Sequence, residues 1–139
     1  MQRRTLLASL AAAGLFAPAA RAERGVIATR DGYKLAYLDR GSGRPVVLVH
    51  GWSLSSAIWS LQTDWLASRG LRVVAYDRRG HGDSDRPSDG YDMDMLASDL
   101  AAVLEQLDLH DVTLVGHSLG AGEDARYLPR TGGRRVSRA

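Results

Sequence analysis

Cysteine is absent from the 139 residues, so disulfides, thiolate nucleophiles and zinc sites built on cysteine are excluded, while the redox compartment stays open. Also missing are a metal-ligand constellation, the lysine motif of a phosphate loop and a basic-aromatic surface suited to nucleic acid. No apolar run reaches the roughly 20 residues that a membrane-crossing helix needs. Charge of one sign is scarce as well. The net charge of +2 rests on Arg3, Arg4 and Arg21, which lie in a 22-residue start that contains no acid; without that start, acids slightly exceed bases. No nucleic acid, stable membrane anchor, metal or cofactor is therefore called for. What remains is 45% hydrophobic and 24% charged, the composition of an ordinary globular domain.

The start itself, "MQRRTLLASLAAAGLFAPAARA", reads as an address. Two arginines precede an apolar run from Leu6 to about Ala20, and Ala20-Arg21-Ala22 supplies a small-x-small cleavage site. This outlines a signal peptide over residues 1–22, and Arg3-Arg4 before Thr5-Leu6-Leu7 resembles the twin-arginine export signal. The run is too short, and too interrupted by Pro18, for a permanent anchor. An exported, periplasmic or secreted location is the expectation.

From Glu23 onward, short β-like runs alternate with helical patterns, as in one α/β domain. "GVIATRDGYKLAYLD" offers two strands joined at Asp31-Gly32, a dipeptide suited to a tight hairpin. "PVVLV" (45–49), "LRVVAY" (71–76) and "VTLV" (112–115) are nearly continuous apolar runs, as expected of parallel strands covered on both faces. In the first crossover, Ile58, Leu61, Gln62, Trp65 and Leu66 mark one helical face, with Trp59 and Trp65 as packing residues. In the second, Leu96, Leu100, Val103, Leu104 and Leu107 repeat the period after Asp92 and Asp94, either of which could cap the helix. Capping and a solvated face account for Asp92, Asp94, Asp99 and Glu105.

The chemistry concentrates at Gly116-His117-Ser118-Leu119-Gly120, a G-x-S-x-G pattern between an expected strand and an expected helix. A serine on so sharp a turn is strained, and glycines two residues to either side avoid clashes that a Cβ would create. Its hydroxyl stands exposed at the end of the sheet, while the Leu119 backbone N–H lies at a helix N-terminus, where negative charge is stabilised. Upstream, "VVLVHGWS" ends the first parallel strand, and the Trp52 N–H is the candidate second donor of an oxyanion hole. His50 could be a general base, but a histidine closing a buried apolar strand is more often a hydrogen-bonded structural residue. The bland alternative for the whole element is a glycine-rich turn whose serine caps a helix.

"TRDGYKLAYLDRGSGRPVVLVHGWSLSSAIW", "RVVAYDRRGHGDSDRP" and "VTLVGHSLGAGEDARYL" occur in the order and spacing of the α/β-hydrolase fold. The chain resembles most the branch that contains cofactor-free haloperoxidases (perhydrolases) and small carboxylesterases. The resemblance implies an N-terminal antiparallel hairpin followed by three parallel strands with crossover helices. It also implies that Ser118 is the nucleophile, that the Trp52 and Leu119 N–H groups form the oxyanion hole, and that Gly116 and Gly120 shape the elbow. Asp77 to Ser84 matches the family's D-x-R-G-x-G-x-S loop, which is mainly architectural, so His81 and Asp77 stay outside the catalytic set. The implied reaction is hydrolysis of a small-molecule carboxylic ester through an acyl-enzyme, with peracid formation when peroxide replaces water. Relatives that open epoxides or displace halides carry aspartate at the position of Ser118.

The family order is Ser, then Asp, then His, yet only Glu123 and Asp124 follow Ser118 and no histidine does. Residues 23–139 thus match the N-terminal portion of such a domain, truncated before its triad acid and base, and inactivity alone is the expectation. An open, apolar "VTLV" edge would also predict poor solubility. Two rivals remain. Gly116, Gly120 and Gly122 have the spacing of a dehydrogenase phosphate loop, although no ribose-binding acid follows at the required distance. The same scaffold could instead be a non-catalytic binding fragment, with Arg130, Arg134, Arg135 and Arg138 either as its patch or as cations favoured near a helix C-terminus.

Overall fold

A computed structural model describes residues 22–139; the expected export signal therefore falls outside the described residues. Glu23–Ala28 (β1) and Lys34–Gly41 (β2) pair antiparallel, with Val26 opposite Ala36. The Thr29 N–H donates to Tyr33 O at 2.8 Å and closes the turn, where Gly32 has φ +89°. Asp31-Gly32 supplies that positive φ without Cβ strain. Pro45–Val49 (β3), Arg72–Tyr76 (β4), Val112–Gly116 (β5) and Val136–Arg138 (β6) follow, and the sheet order is β1-β2-β4-β3-β5-β6. β2 runs antiparallel to β4, and the β4, β3, β5 and β6 neighbours are parallel.

A short fourth parallel strand adds to the three expected, in "RRVSRA", where the family resemblance puts the start of the next strand. β6 pairs Val136 with Val112 and Arg138 with Thr113, so β5 is not wholly open. Three residues, Val-Ser-Arg, are too few and too polar to announce a strand. Beyond Thr113, among the described residues, the outer side of β5 has no strand partner, which shortens the adhesive edge rather than removing it.

Alternation along the buried strands divides the core into two layers. Val46, Leu48, Val73 and Ala75 face Trp59, Leu66, Ala67 and Leu71 on the side of helix Ser60–Ala67 (α1). Val47, Val49, Val74 and Tyr76 face the opposite way and pack with Leu100, Val103, Leu104 and Tyr127 from helices Met93–Gln106 (α2) and Leu119–Thr131 (α3). Each such side chain, fully buried, contributes about 1.5–3 kcal/mol.

Helix α1 is rotated relative to the expected face. Leu61 is 80% and Trp65 55% exposed, whereas Thr63 is buried. The Thr63, Leu66 and Ala67 side meets β3 and β4, and Trp65 instead holds the Arg69 guanidinium 3.7 Å from its ring centroid. Small Thr63 and Ala67 let the helix approach the sheet closely, and the bulkier stripe is left outside. In α2, Asp92 is the cap: its Oδ1 accepts from Asp94 N–H and Met95 N–H, both at 3.0 Å. Asp99 is not on the solvated face. It is buried beside Leu96 and Leu100, and its carboxylate accepts from Arg79 Nε at 2.5 Å and Nη2 at 2.7 Å. Helix α3 continues two residues past Pro129 and ends at left-handed Gly132, because a proline in the last turn removes only one hydrogen bond.

Candidate active site

Strands β3 and β5 are parallel neighbours, so the loops leaving their carboxyl ends lie side by side. His117 N–H donates to Val49 O at 2.9 Å and ties the two exits together. The next residue, Ser118, has φ 54° and ψ −119° and is exposed. A non-glycine residue in so sparsely populated a region costs on the order of 1–3 kcal/mol, which the surrounding packing must offset. Ser118 makes no side-chain capping bond to α3, so the simple cap reading finds no support in the geometry.

The glycines explain how the turn is held. A Cβ on Gly120 would overlap Val49 O and stand 2.8 Å from His50 O; one on Gly116 would stand 2.5 Å from the Ala121 backbone. Gly122 is different, since a Cβ there would meet only the Met93 side chain at ordinary distance. The two constrained glycines are those of the serine elbow, and the third glycine of a dehydrogenase-like phosphate loop has no such need here. Gly120→Ala is expected to cost about 3 kcal/mol, read as a lowered urea midpoint with an unchanged slope. A midpoint equal to that of the parent chain would show that the elbow can yield.

Gly51 brings the β3 loop to the serine. A Cβ on Gly51 would lie 3.1 Å from Ser118 Cβ and 2.9 Å from His117 Nδ1. Among the described residues, neither the Trp52 N–H nor the Leu119 N–H donates to a protein group. Leu119 opens α3, where the first N–H groups have no helical acceptor. Two residues with unengaged N–H groups thus adjoin the exposed serine, Leu119 directly in the chain and Trp52 through Gly51.

His50 is structural. It is buried; Nδ1 lies 2.7 Å from Gly51 O and Nε2 accepts from Arg78 N–H at 3.0 Å. Burial pushes it down to about 4, so it is neutral near pH 7. Asp77 is structural too, accepting from Ser56 N–H at 2.7 Å and Asp83 N–H at 2.9 Å. His110 sits near the opposite end of β5 with Asp108 at 2.9 Å and Arg135 at 3.0 Å. Exposed His117 follows β5 directly, but no described hydrogen bond joins it to Ser118. Arg130 pairs with Asp94 at 3.1 Å, Arg135 pairs with Asp108 at 3.2 Å, and Arg134 Nε donates to Thr131 O. These three arginines are engaged locally, and Arg138 lies in β6.

Sequence reasoning missed a polar cluster behind the elbow. Glu123 is fully buried, accepting from Arg78 Nε at 2.6 Å and from the Tyr76 hydroxyl. Adjacent Asp124 is buried with Oδ1 unpartnered, as are Arg78 Nη1 and Nη2. Burial pushes both carboxyl groups up to about 7, with Glu123 adding to the shift of Asp124. Consecutive acids in a helix do not announce burial, and only the strand-end position of Arg78 could have hinted at a partner. Among the described residues, no cluster of potential metal ligands occurs and no helix is long and apolar enough to cross a membrane.

Comparison with known proteins agrees with this fold. The alpha/beta hydrolase fold family matches residues 44–139. A non-heme haloperoxidase of Rhodococcus erythropolis is 51% identical over 113 residues, which are 81% of this chain and 41% of that protein. A bifunctional esterase/perhydrolase of Acinetobacter calcoaceticus is 47% identical over 108 residues, 76% of this chain and 39% of its own length. Among solved structures, a bromoperoxidase from Bacillus anthracis superposes with a TM-score of 0.79 at 45% identity, covering 82% of this chain and 42% of that one. The chain thus spans about two-fifths of the length of the relatives it matches. With the serine turn, the paired loops and the mixed sheet all in place, the chain belongs to the alpha/beta hydrolase fold family, and its similarity is to the haloperoxidase and esterase members.

Proposed function

We propose that the chain carries the nucleophile and the oxyanion donors of a serine hydrolase acting on small-molecule carboxylic esters. Ser118 Oγ attacks the ester carbonyl carbon, and the carbonyl oxygen becomes an oxyanion met by the Trp52 and Leu119 N–H groups. The alcohol departs with a proton, leaving Ser118 acylated, and water then releases the acid. Hydrogen peroxide in place of water would release a peracid, and the names of the haloperoxidase and perhydrolase relatives support that side activity. The observation that carries the reading is the exposed, strained Ser118 beside two unengaged N–H groups. The reaction calls for no metal or cofactor. Export is the matching proposal for location, supported by Arg3-Arg4 and the Ala20-Arg21-Ala22 site in the sequence.

Among the described residues, no histidine is hydrogen-bonded to Ser118 as a base. No histidine follows Ser118, and His50 and His110 are engaged elsewhere. These 139 residues alone are therefore expected to lack turnover, which also keeps a non-catalytic binding fragment as the second reading. External imidazole separates the two. A fluorophosphonate probe should label the chain at Ser118, roughly 10-fold faster with added imidazole acting as base, and Ser118→Ala should abolish the label. No labelling even with imidazole would favour the binding fragment, and equal labelling of Ser118→Ala would remove the serine from the reading.

A further inference from the structure

His81 stands beside the candidate oxyanion loop, on Trp52 and Ser53. Its Nε2 accepts from the Ser53 N–H at 3.2 Å, and its Nδ1 lies 2.9 Å from Arg79 O, a carbonyl that can only accept. Those two contacts fix the tautomer with the proton on Nδ1. The same ring stands edge-on to Trp52 and to His50, with centroids 5.2 Å apart in each case.

The residue it holds is under strain. Leu54 N–H bonds to Gly51 O at 3.4 Å, closing a four-residue turn with Trp52 and Ser53 at its centre. Ser53 has φ 58°, and a positive φ at the third position of such a turn ordinarily calls for glycine. The alternative turn, with negative φ there, rotates the Trp52–Ser53 peptide and directs its N–H elsewhere. An acceptor at His81 Nε2 rewards the strained form alone. On the far side of the loop, Asp77 accepts the Ser56 N–H, so the turn is gripped at both ends by the segment after β4.

We propose that His81 is a positioning residue for the loop after β3: with its proton on Nδ1, it holds the Trp52–Ser53 peptide in the strained form of the Gly51–Leu54 turn, and so fixes the loop that carries the Trp52 N–H. The proposal rests on the reading of Trp52 as an oxyanion donor.

Nitrogen-15 spectra and amide exchange on the chain as it stands test this directly. At pH 8 the His81 ring should report the Nδ1–H tautomer, and Ser53 should exchange about 10-fold slower than in His81→Phe, a variant that keeps a ring against Trp52. Ser53 protection should return in part in His81→Gln, whose side-chain oxygen can accept. An Nε2–H tautomer, or equal Ser53 protection in His81→Phe, would overturn the proposal. Imidazole-assisted labelling of Ser118 keeps the two ideas apart. Labelling with an unprotected Ser53 defeats the His81 role alone, whereas a protected Ser53 without labelling defeats the nucleophile reading.

Discussion

Glu123→Ala should remove about 3–5 kcal/mol of folding stability, a large part of the 5–15 kcal/mol of a typical domain. Arg78 has 1% of its side chain exposed, and Nε is its only side-chain nitrogen with a protein partner, because Nη1 and Nη2 have none. Removing the carboxylate leaves a whole guanidinium buried and unpaired, and strips the Tyr76 hydroxyl of its acceptor. The cost arises from stranded polar groups more than from the lost attraction, so Arg78→Met combined with Glu123→Leu should be less harmful than Glu123→Ala alone. Urea unfolding followed by circular dichroism measures both. A loss below about 1 kcal/mol in Glu123→Ala would mean that the guanidinium reaches water.

Asp124→Asn should act in the other direction. Asp124 is 6% exposed, has no donor on Oδ1 and lies next to Glu123. The two carboxyl groups titrate together, and Asp124, which has no cationic hydrogen-bond partner, shares in the proton that the pair binds. Its folded value near 7 stands above the ordinary 3.8. The native state therefore binds the proton more tightly than the unfolded chain does. The stability linked to that proton is complete below pH 3.8 and is lost as pH rises through about 7. Asparagine carries no charge to bury, so the variant should match the parent near pH 4 and exceed it by about 2–4 kcal/mol at pH 8. Denaturation midpoints at pH 4, 6 and 8 would reveal this as a gap that widens with pH. A constant gap would place the effect in packing.

The same residues mark what could be read in advance. β3 is legible to the residue because Val46 to Val49 are all buried, and a continuous apolar run between a glycine-rich turn and His50 has few other meanings. The elbow was legible because its demands are local: a strand, a helix and glycines at fixed offsets. Helix α1 was misread because the apolar stripe of Leu61 and Trp65 says which side is greasy, whereas small Thr63 and Ala67 decide which side approaches the sheet. Asp99, Glu123 and Asp124 looked like ordinary helix acids because their burial depends on Arg78 and Arg79, which stand tens of residues away in sequence. His81 was assigned to an architectural loop. Its hydrogen bond to Ser53 becomes apparent only once the two loops are adjacent.

The strand order also has a kinetic meaning. β3 lies between β4 and β5, both of which come later in the chain. During synthesis, the most apolar strand must wait for residues 72–76 before one edge is satisfied, and for residues 112–116 before the other is. Non-local pairing of this kind slows folding and leaves a sticky intermediate in the interval. Nascent chains that have passed β4 but not β5 should therefore be the species most dependent on chaperone capture, and slower elongation between them should lower the yield of folded protein.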